Sequence, residues 1–143
     1  IGKSFVNSIN GNYIDIDSFD YTRINHESYI EKTNDSFPEN YYIKVVELLQ
    51  STNAIILCST HKEFRAMLTN NGIKYLLIYP TLGCKKEYLQ RYKNRQSNFK
   101  WINDQRLVFE KRIIELYLEN VSPSFKDTIG PGETLESYLH ELL

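Results

Sequence analysis

Gly2, Lys3 and Ser4 stand together near the head of the chain, followed by Phe5-Val6. Gly-Lys-Ser is how a phosphate-binding loop ends as its helix begins. The glycine lets the backbone approach a phosphate, the lysine reaches the β- and γ-phosphates, and the hydroxyl is placed for Mg²⁺. These three residues are read as half of a nucleotide site, with Ser4 as a magnesium ligand. The first glycine of such a loop and the strand that feeds it do not stand in the sequence, which does not start with Met. A strand ahead of Gly2 is what the loop demands. The competing reading is a chance triplet on an N-terminal stub.

Three other groups carry residue types that suit the same chemistry. Asp15-Ile16-Asp17-Ser18 ends a short β-branched stretch. Strand alternation would put Asp15 and Asp17 on one face. Ligands of open α/β sheets bind beyond the carboxyl ends of strands. Two carboxylates there can hold Mg²⁺ through water or take a proton from an acceptor hydroxyl. The alternative is a solvated strand end, with Asp17 capping the next turn of chain. Ser59-Thr60-His61-Lys62 follows the apolar run Ala54–Cys58 and opens a helix. Either hydroxyl can cap that helix, its amides can face an anion, and His61 can contact a phosphate or carry a proton. No Asp follows Leu57, where the metal-anchoring acid of a nucleotide site would stand; Cys58 and Ser59 occupy its place. Arg91, Lys93 and Arg95 come a turn or two after Lys85 and Lys86. At i, i+4 on a helix, Arg91 and Arg95 share a face and form a bidentate clamp for phosphate oxygens. A solvated basic face is the alternative. A nucleic-acid patch with Tyr88 and Tyr92 interleaved is a lesser one. Phe37, Tyr29, Tyr41 and Tyr42 can wall a base pocket, although packing is the favoured role. His26 and His140 are read as exposed and inert.

These residues must be positioned by a small set of elements. Ser4–Ile9 reads as a helix and Tyr13–Asp17 as a strand. Residues 18–38 read as a long polar loop with at most one helical turn. Pro38 opens a helix over Glu39–Gln50, with Tyr42, Val45, Val46 and Leu49 at i, i+3, i+4, i+7. Ala54–Cys58 is a continuous apolar run, as in a strand covered on both faces. A helix follows over Lys62–Asn70, with Phe64, Met67 and Leu68 inward and a C-cap signal at Asn71-Gly72. Ile73–Tyr79 is the third strand. Cys84–Arg95 is a basic helix, broken at Gln96-Ser97-Asn98. Phe99–Leu118 is the longest helix, its apolar positions being Ile102, Leu107, Val108, Ile113, Ile114 and Leu118. Residues 121–132 read as a Pro/Gly-rich loop, and Glu133–Leu143 as a packing helix. Alternating strands and helices with apolar strands indicate a parallel α/β sheet.

Composition sets outer bounds. The 143 residues suit one domain, with 41% hydrophobic and 24% charged residues. The net charge of −1 gives no global field for nucleic acid or an anionic membrane. Cys58 and Cys84 have no metal-ligand spacing. Cys58, inside an apolar run, reads as a buried free thiol. No apolar run reaches the ~20 residues of a membrane span, and no signal peptide is recognisable, so a cytoplasmic setting is expected. With 11 Tyr, 7 Phe and few Ala, the bias suits an AT-rich coding genome.

Taken in order, Gly2-Lys3-Ser4, Asp15-x-Asp17-Ser18, Ser59-Thr60-His61-Lys62-Glu63 with Arg65, Tyr79-Pro80 and Glu87-Tyr88-Leu89-x-Arg91-Tyr92-x-x-Arg95 resemble the P-loop nucleoside/nucleotide kinase superfamily. The resemblance runs over about residues 1–118 and is nearest to the small adenylate-kinase-like proteins of bacteriophages and low-GC bacteria. It implies a three-layer fold with a five-stranded parallel sheet flanked by helices, a basic helical lid over about 84–100, and C-terminal helices over 101–143. It also implies an ATP-Mg²⁺ donor site. Lys3 would be the P-loop lysine, Ser4 the magnesium hydroxyl, Asp17 the acid near the acceptor, and Arg91 and Arg95 the lid arginines. The implied partners are a nucleoside triphosphate and a small acceptor. A non-catalytic accessory protein of the same fold, and a kinase acting on a polynucleotide or modified base, are the alternatives.

Overall fold

A computed structural model describes residues 12–24, 32–95, 98–119 and 125–142. Gly2, Lys3 and Ser4, the helix expected at Ser4–Ile9, His26 and Tyr29 lie outside the described residues. The fold is mixed α/β, and the described chain divides into two compact units, 1–74 and 75–143.

In the first unit, strand β1 (Tyr13–Asp15) leads into a one-turn helix α1 (Phe19–Thr22). Two short strands, β2 (Arg23–Ile24) and β3 (Lys32–Thr33), pair antiparallel within the stretch expected to be loop. Helix α2 (Glu39–Ser51), strand β4 (Ile55–Leu57) and helix α3 (Lys62–Asn70) follow. Strand β4 pairs parallel with β1, Tyr13 opposite Ile55 and Asp15 opposite Leu57. This is the parallel pairing expected of an α/β chain, made through a long crossover that contains α2. The buried stripe of α2 runs through Tyr41 and Val45. It is rotated from the expected one, for Tyr42 and Val46 are half-buried and Leu49 is exposed. Strand β4 is covered at Leu57 but not at Ile55. Cys58, beyond the strand's end, is half-buried rather than buried.

Helix α3 ends as the Asn-Gly signal requires. Gly72, at φ +68, donates to the Thr69 carbonyl, and the Ile73 amide donates to the Leu68 carbonyl. That pair of bonds is a Schellman cap, in which glycine takes the left-handed conformation at no steric cost.

In the second unit, strand β5 (Leu76–Pro80) passes through a short 3₁₀ turn (Leu82–Cys84) into helix α4 (Lys85–Asn94). Helix α5 (Phe99–Leu118) and strand β6 (Phe125–Ile129) follow, then helix α6 (Leu135–Leu142). Strands β5 and β6 are parallel over five residue pairs, Leu76 opposite Phe125 and Pro80 opposite Ile129. The region read as loop therefore contains a strand. The core joins Leu77 and Tyr79 of β5 to Cys84, to Tyr88 and Tyr92 of α4, and to Ile102, Phe109 and Ile113 of α5. Of the apolar positions expected on α5, Ile102 and Ile113 are buried, whereas Leu107, Ile114 and Leu118 face solvent. Because α4 buries two tyrosines in this core, its inner face is a packing surface.

Two polar devices close the second unit. Lys126 of β6 donates from Nζ to the Leu116 carbonyl at 2.8 Å and to the Glu119 carbonyl at 2.5 Å. A lysine thereby satisfies orphan carbonyls at the end of the longest helix. Gly130-Pro131-Gly132-Glu133 forms a turn with Gly132 at φ +82 and the Glu133 amide on the Gly130 carbonyl. That is the glycine position of a type II turn. Among the described residues, no helix is long and apolar enough to cross a membrane.

Candidate functional site

The carboxyl ends of β1 and β4 leave the parallel pair side by side. The ladder runs on past Asp15, because the Ile16 amide donates to the Leu57 carbonyl at 3.0 Å. Beyond that bond the two chains diverge. One becomes Asp17-Ser18 and the turn of α1; the other becomes Cys58-Ser59-Thr60-His61 and the start of α3.

The hydroxyl of Tyr41 joins these two exits. It donates to the Ile16 carbonyl at 2.8 Å and accepts from the Ser59 amide at 2.9 Å. The ring is fully buried and meets Phe64 edge-on at 4.7 Å between centroids. Burial, the main cause, pushes the Tyr41 hydroxyl well above its ordinary pKa, so it stays protonated and remains a donor to Ile16. Packing is the role that the sequence favours for Tyr41, and packing is its role here, with the polar tip used as a latch.

A second set of bonds crosses the same junction. The Ser18 amide donates to Ser59 Oγ at 3.3 Å, and Ser18 Oγ lies 2.9 Å from His61 Nε2. Ser18 is buried, and Phe37 packs edge-on against the His61 ring at 4.9 Å. The tautomer sets the direction: Nε2 accepts from the hydroxyl when the ring proton is on Nδ1, and donates to it when Nε2 carries the proton. The imidazole is thus held by a hydroxyl on one side and an aromatic ring on another. A histidine so fixed can present its other nitrogen to a bound anion or carry a proton. Ser18 belongs to the carboxylate motif, but nothing in the sequence links it to His61, because 43 residues separate the two.

The capping expected of Ser59 or Thr60 takes another form. His61 is the residue that precedes α3, and its side chain makes no capping bond. The Ser59 hydroxyl serves Ser18, and the Thr60 carbonyl accepts from Arg65 Nη1 at 2.5 Å. Arg65, expected only as part of a motif, is a buried arginine.

Asp15 and Asp17 do not share a strand face. Strand β1 ends at Asp15, and Asp17 lies in the turn beyond it. Asp17 Oδ1 accepts from the Phe19 amide at 3.0 Å, the local turn-forming bond open to an aspartate there. Asp15 is half-buried and Asp17 exposed. Among the described residues, no three His, Cys, Asp or Glu side chains converge as a metal site.

Arg91 and Arg95 belong to the second unit. Arg91 pairs with Glu87 one turn back on α4, and donates to the Glu133 carbonyl at 3.3 Å. Its guanidinium also lies 5.1 Å from the Tyr88 ring centroid. The other oxygen of Glu87 takes the Gly132 amide at 2.9 Å. Arg91 and Glu87 together hold the glycine turn, a structural role that the i, i+4 spacing did not reveal. Arg95, at the C-cap of α4, is exposed. Lys85 pairs with Glu110 at 2.9 Å. His140 is exposed, as expected.

No protein-family model matches the chain, and neither a curated protein nor a solved structure gives a significant match.

Proposed function

We propose that the chain is a nucleotide-binding P-loop protein that transfers a phosphoryl group from ATP to a nucleoside, nucleotide or similar small acceptor. The observation that carries this reading is the junction at the carboxyl ends of two parallel strands, where Asp15 closes β1 and Asp17, Ser18, Ser59 and His61 lie beyond β1 and β4. Ligands of parallel α/β folds bind at such ends. Among the described residues, four strands stand in parallel pairs, one pair in each unit. These are separate two-stranded sheets, and the described residues show no continuous parallel sheet.

Phosphoryl transfer asks the protein for positioning and charge neutralisation more than for covalent work. In this reading Lys3 contacts the β- and γ-phosphates. Ser4, with Asp15 and Asp17 acting through water, holds Mg²⁺. Asp17 also orients the acceptor hydroxyl. His61, steadied by Ser18, meets a phosphate oxygen.

The test is ATP turnover by the intact gene product across a panel of nucleosides and nucleotides, beside Lys3→Ala. Loss of that lysine is expected to cost about 2–4 kcal/mol of transition-state stabilisation, roughly thirtyfold to a thousandfold in rate. Equal turnover by both proteins refutes the proposal. One observation favours a second reading, a non-catalytic nucleotide-binding protein of the same fold. Strand β4 runs into Cys58-Ser59 with no carboxylate after Leu57. Calorimetry that shows ATP-Mg²⁺ binding without turnover supports this second reading.

A further inference from the structure

Helix α5 packs on its unit through a narrow stripe, whose buried residues are Ile102, Phe109 and Ile113. At about 100° per residue these three lie together on one side of the helix. Leu107, Ile114 and Leu118 lie together on the opposite side and are 66%, 45% and 70% exposed. With Lys100, Asp104 and Lys111, also exposed, they form one line along the helix. Its steps are four, three, four, three and four residues, the seven-residue rhythm of a helix–helix seam. The line is ordered from its start, because the Asn98 side chain accepts from the Lys100 amide at 2.8 Å. A lone exposed leucine is ordinary, whereas three apolar side chains aligned over about three turns mark a contact surface.

The charges on the line select its occupant. A lipid surface would meet Asp104 in the line itself, with Glu110 and Glu115 exposed beside it. A second copy laid in the same direction would set Lys111 on Lys111 and Asp104 on Asp104. A second copy laid in the reverse direction, about a twofold axis at Leu107, meets itself differently. Leu107 faces Leu107, and Asp104 faces Lys111 of the second copy. Seven residues apart, Asp104 and Lys111 share one flank of the helix, and a twofold axis makes their pairing twice. The Lys100 stem of each copy covers Ile114 of the other, with Leu118 beyond it. Lys111 Nζ lies 3.9 Å from Glu115 Oε1, with both side chains largely exposed. Such a surface pair contributes little and is readily exchanged.

We propose that a second copy of this chain packs antiparallel along the outer face of α5, through Leu107, Ile114, Leu118 and the Asp104–Lys111 pairs. Two helices of this length touch over at most about 30 Å. That places the contact at the small end of specific interfaces, and a dissociation constant of roughly 1–100 µM is expected. The face lies on one helix of the second unit, and its test needs no nucleoside triphosphate. Its failure and that of the phosphoryl-transfer reading are therefore separate.

The experiment is sedimentation equilibrium of the whole chain from about 5 to about 500 µM, a range that brackets the expected constant. A reversible monomer–dimer equilibrium is expected. Leu107→Glu with Ile114→Glu changes exposed side chains, so the circular dichroism should hold while the dimer is lost. Leu107→Ala should weaken dimerisation by about tenfold. The register has its own readout in the charges. Asp104→Lys and Lys111→Glu each set like charges together, and each protein should self-associate about tenfold more weakly. An equimolar mixture of these two variants should regain parental affinity, because every charge then meets its opposite. A chain that stays monomeric at about 500 µM overturns the proposal. A dimer that survives Leu107→Glu with Ile114→Glu overturns it, as does a mixture that associates no better than its components. A monomer that instead sediments with phosphatidylcholine–phosphatidylglycerol vesicles overturns it in favour of a lipid surface.

Discussion

Replacing Tyr41 by Phe removes one oxygen atom and two hydrogen bonds that hold the strand exits together. The hydroxyl serves the Ile16 carbonyl at 2.8 Å and the Ser59 amide at 2.9 Å. The phenyl ring still fills its place against Phe64 and Tyr21, so the packing loss is small. A typical bond contributes about 0.5–1.5 kcal/mol net, and a buried polar group left without a partner costs about 1–3 kcal/mol. Ile16 is buried and Ser59 only half-buried. The carbonyl therefore bears most of the penalty, while water can reach the amide. The expected loss is about 2–3 kcal/mol. With a urea m-value of about 2 kcal/mol/M, the midpoint should fall by about 1–1.5 M. Circular dichroism is the suitable readout, because the single tryptophan reports on the other unit. Amide exchange at Ser59 should rise in the same variant, since its acceptor is gone. Tyr42→Phe, one residue on and half-buried, is the control and should shift the midpoint little. Because burial keeps the Tyr41 hydroxyl protonated, the difference between Tyr41→Phe and the parent should not vary between roughly pH 5 and 9. A Tyr41→Phe midpoint equal to the control's would refute the claim that this hydroxyl joins the strand ends.

Lys126→Met keeps the apolar stem but removes the ammonium from the end of α5. A loss of about 1 kcal/mol is expected, read as a fall in Tm of a few degrees, and an unchanged Tm would remove Lys126 as the cap. The Tyr138 hydroxyl donates to Asp127 Oδ2 at 2.6 Å. That bond, with the Thr128 amide, holds the Asp127 carboxyl below its ordinary value of 3.8. Its stabilisation is present above that ordinary value and is lost as the pH falls through the lower folded value. On the alkaline side burial, with the Asp127 bond, pushes Tyr138 up to about 12 from 10. That contribution is complete below pH 10 and is lost as the pH rises towards 12. Asp127→Asn should flatten the acid limb of a stability–pH profile and lessen the alkaline loss; a profile superimposable on the parent's would show that the bond is not made in solution.

Much of the local architecture is legible along the chain. Helix α3 has the expected bounds, and its Asn71-Gly72 end is a Schellman cap, because one residue at positive φ and its neighbours suffice to build it. Helix α5 likewise has the expected bounds, and its start at Asn98 is a local side chain-to-backbone matter. Apolar runs mark β4 and β5, and the parallel pairing of β4 with β1 follows from strands separated by a helix. Strand β6 escapes such a reading because Lys126 and Asp127 make Phe125–Ile129 look like a polar loop. Those side chains are balanced by the carbonyls of α5 and by Tyr138, partners that no local window contains.

The candidate site divides along the same line. Residue types alone point to Asp15, Asp17, Ser59 and His61 near strand ends, because carboxyl ends of apolar strands are visible as a change in composition. Which side chains meet there was decided by tertiary structure. Ser18 reaches His61 and Tyr41 bridges Ile16 and Ser59, whereas the bond from the Phe19 amide to Asp17 is local. A sequence sets the spacing of residues along one element. The partner of a hydroxyl or a guanidinium is chosen in space by whichever elements the core brings beside it, and that choice has no period to read.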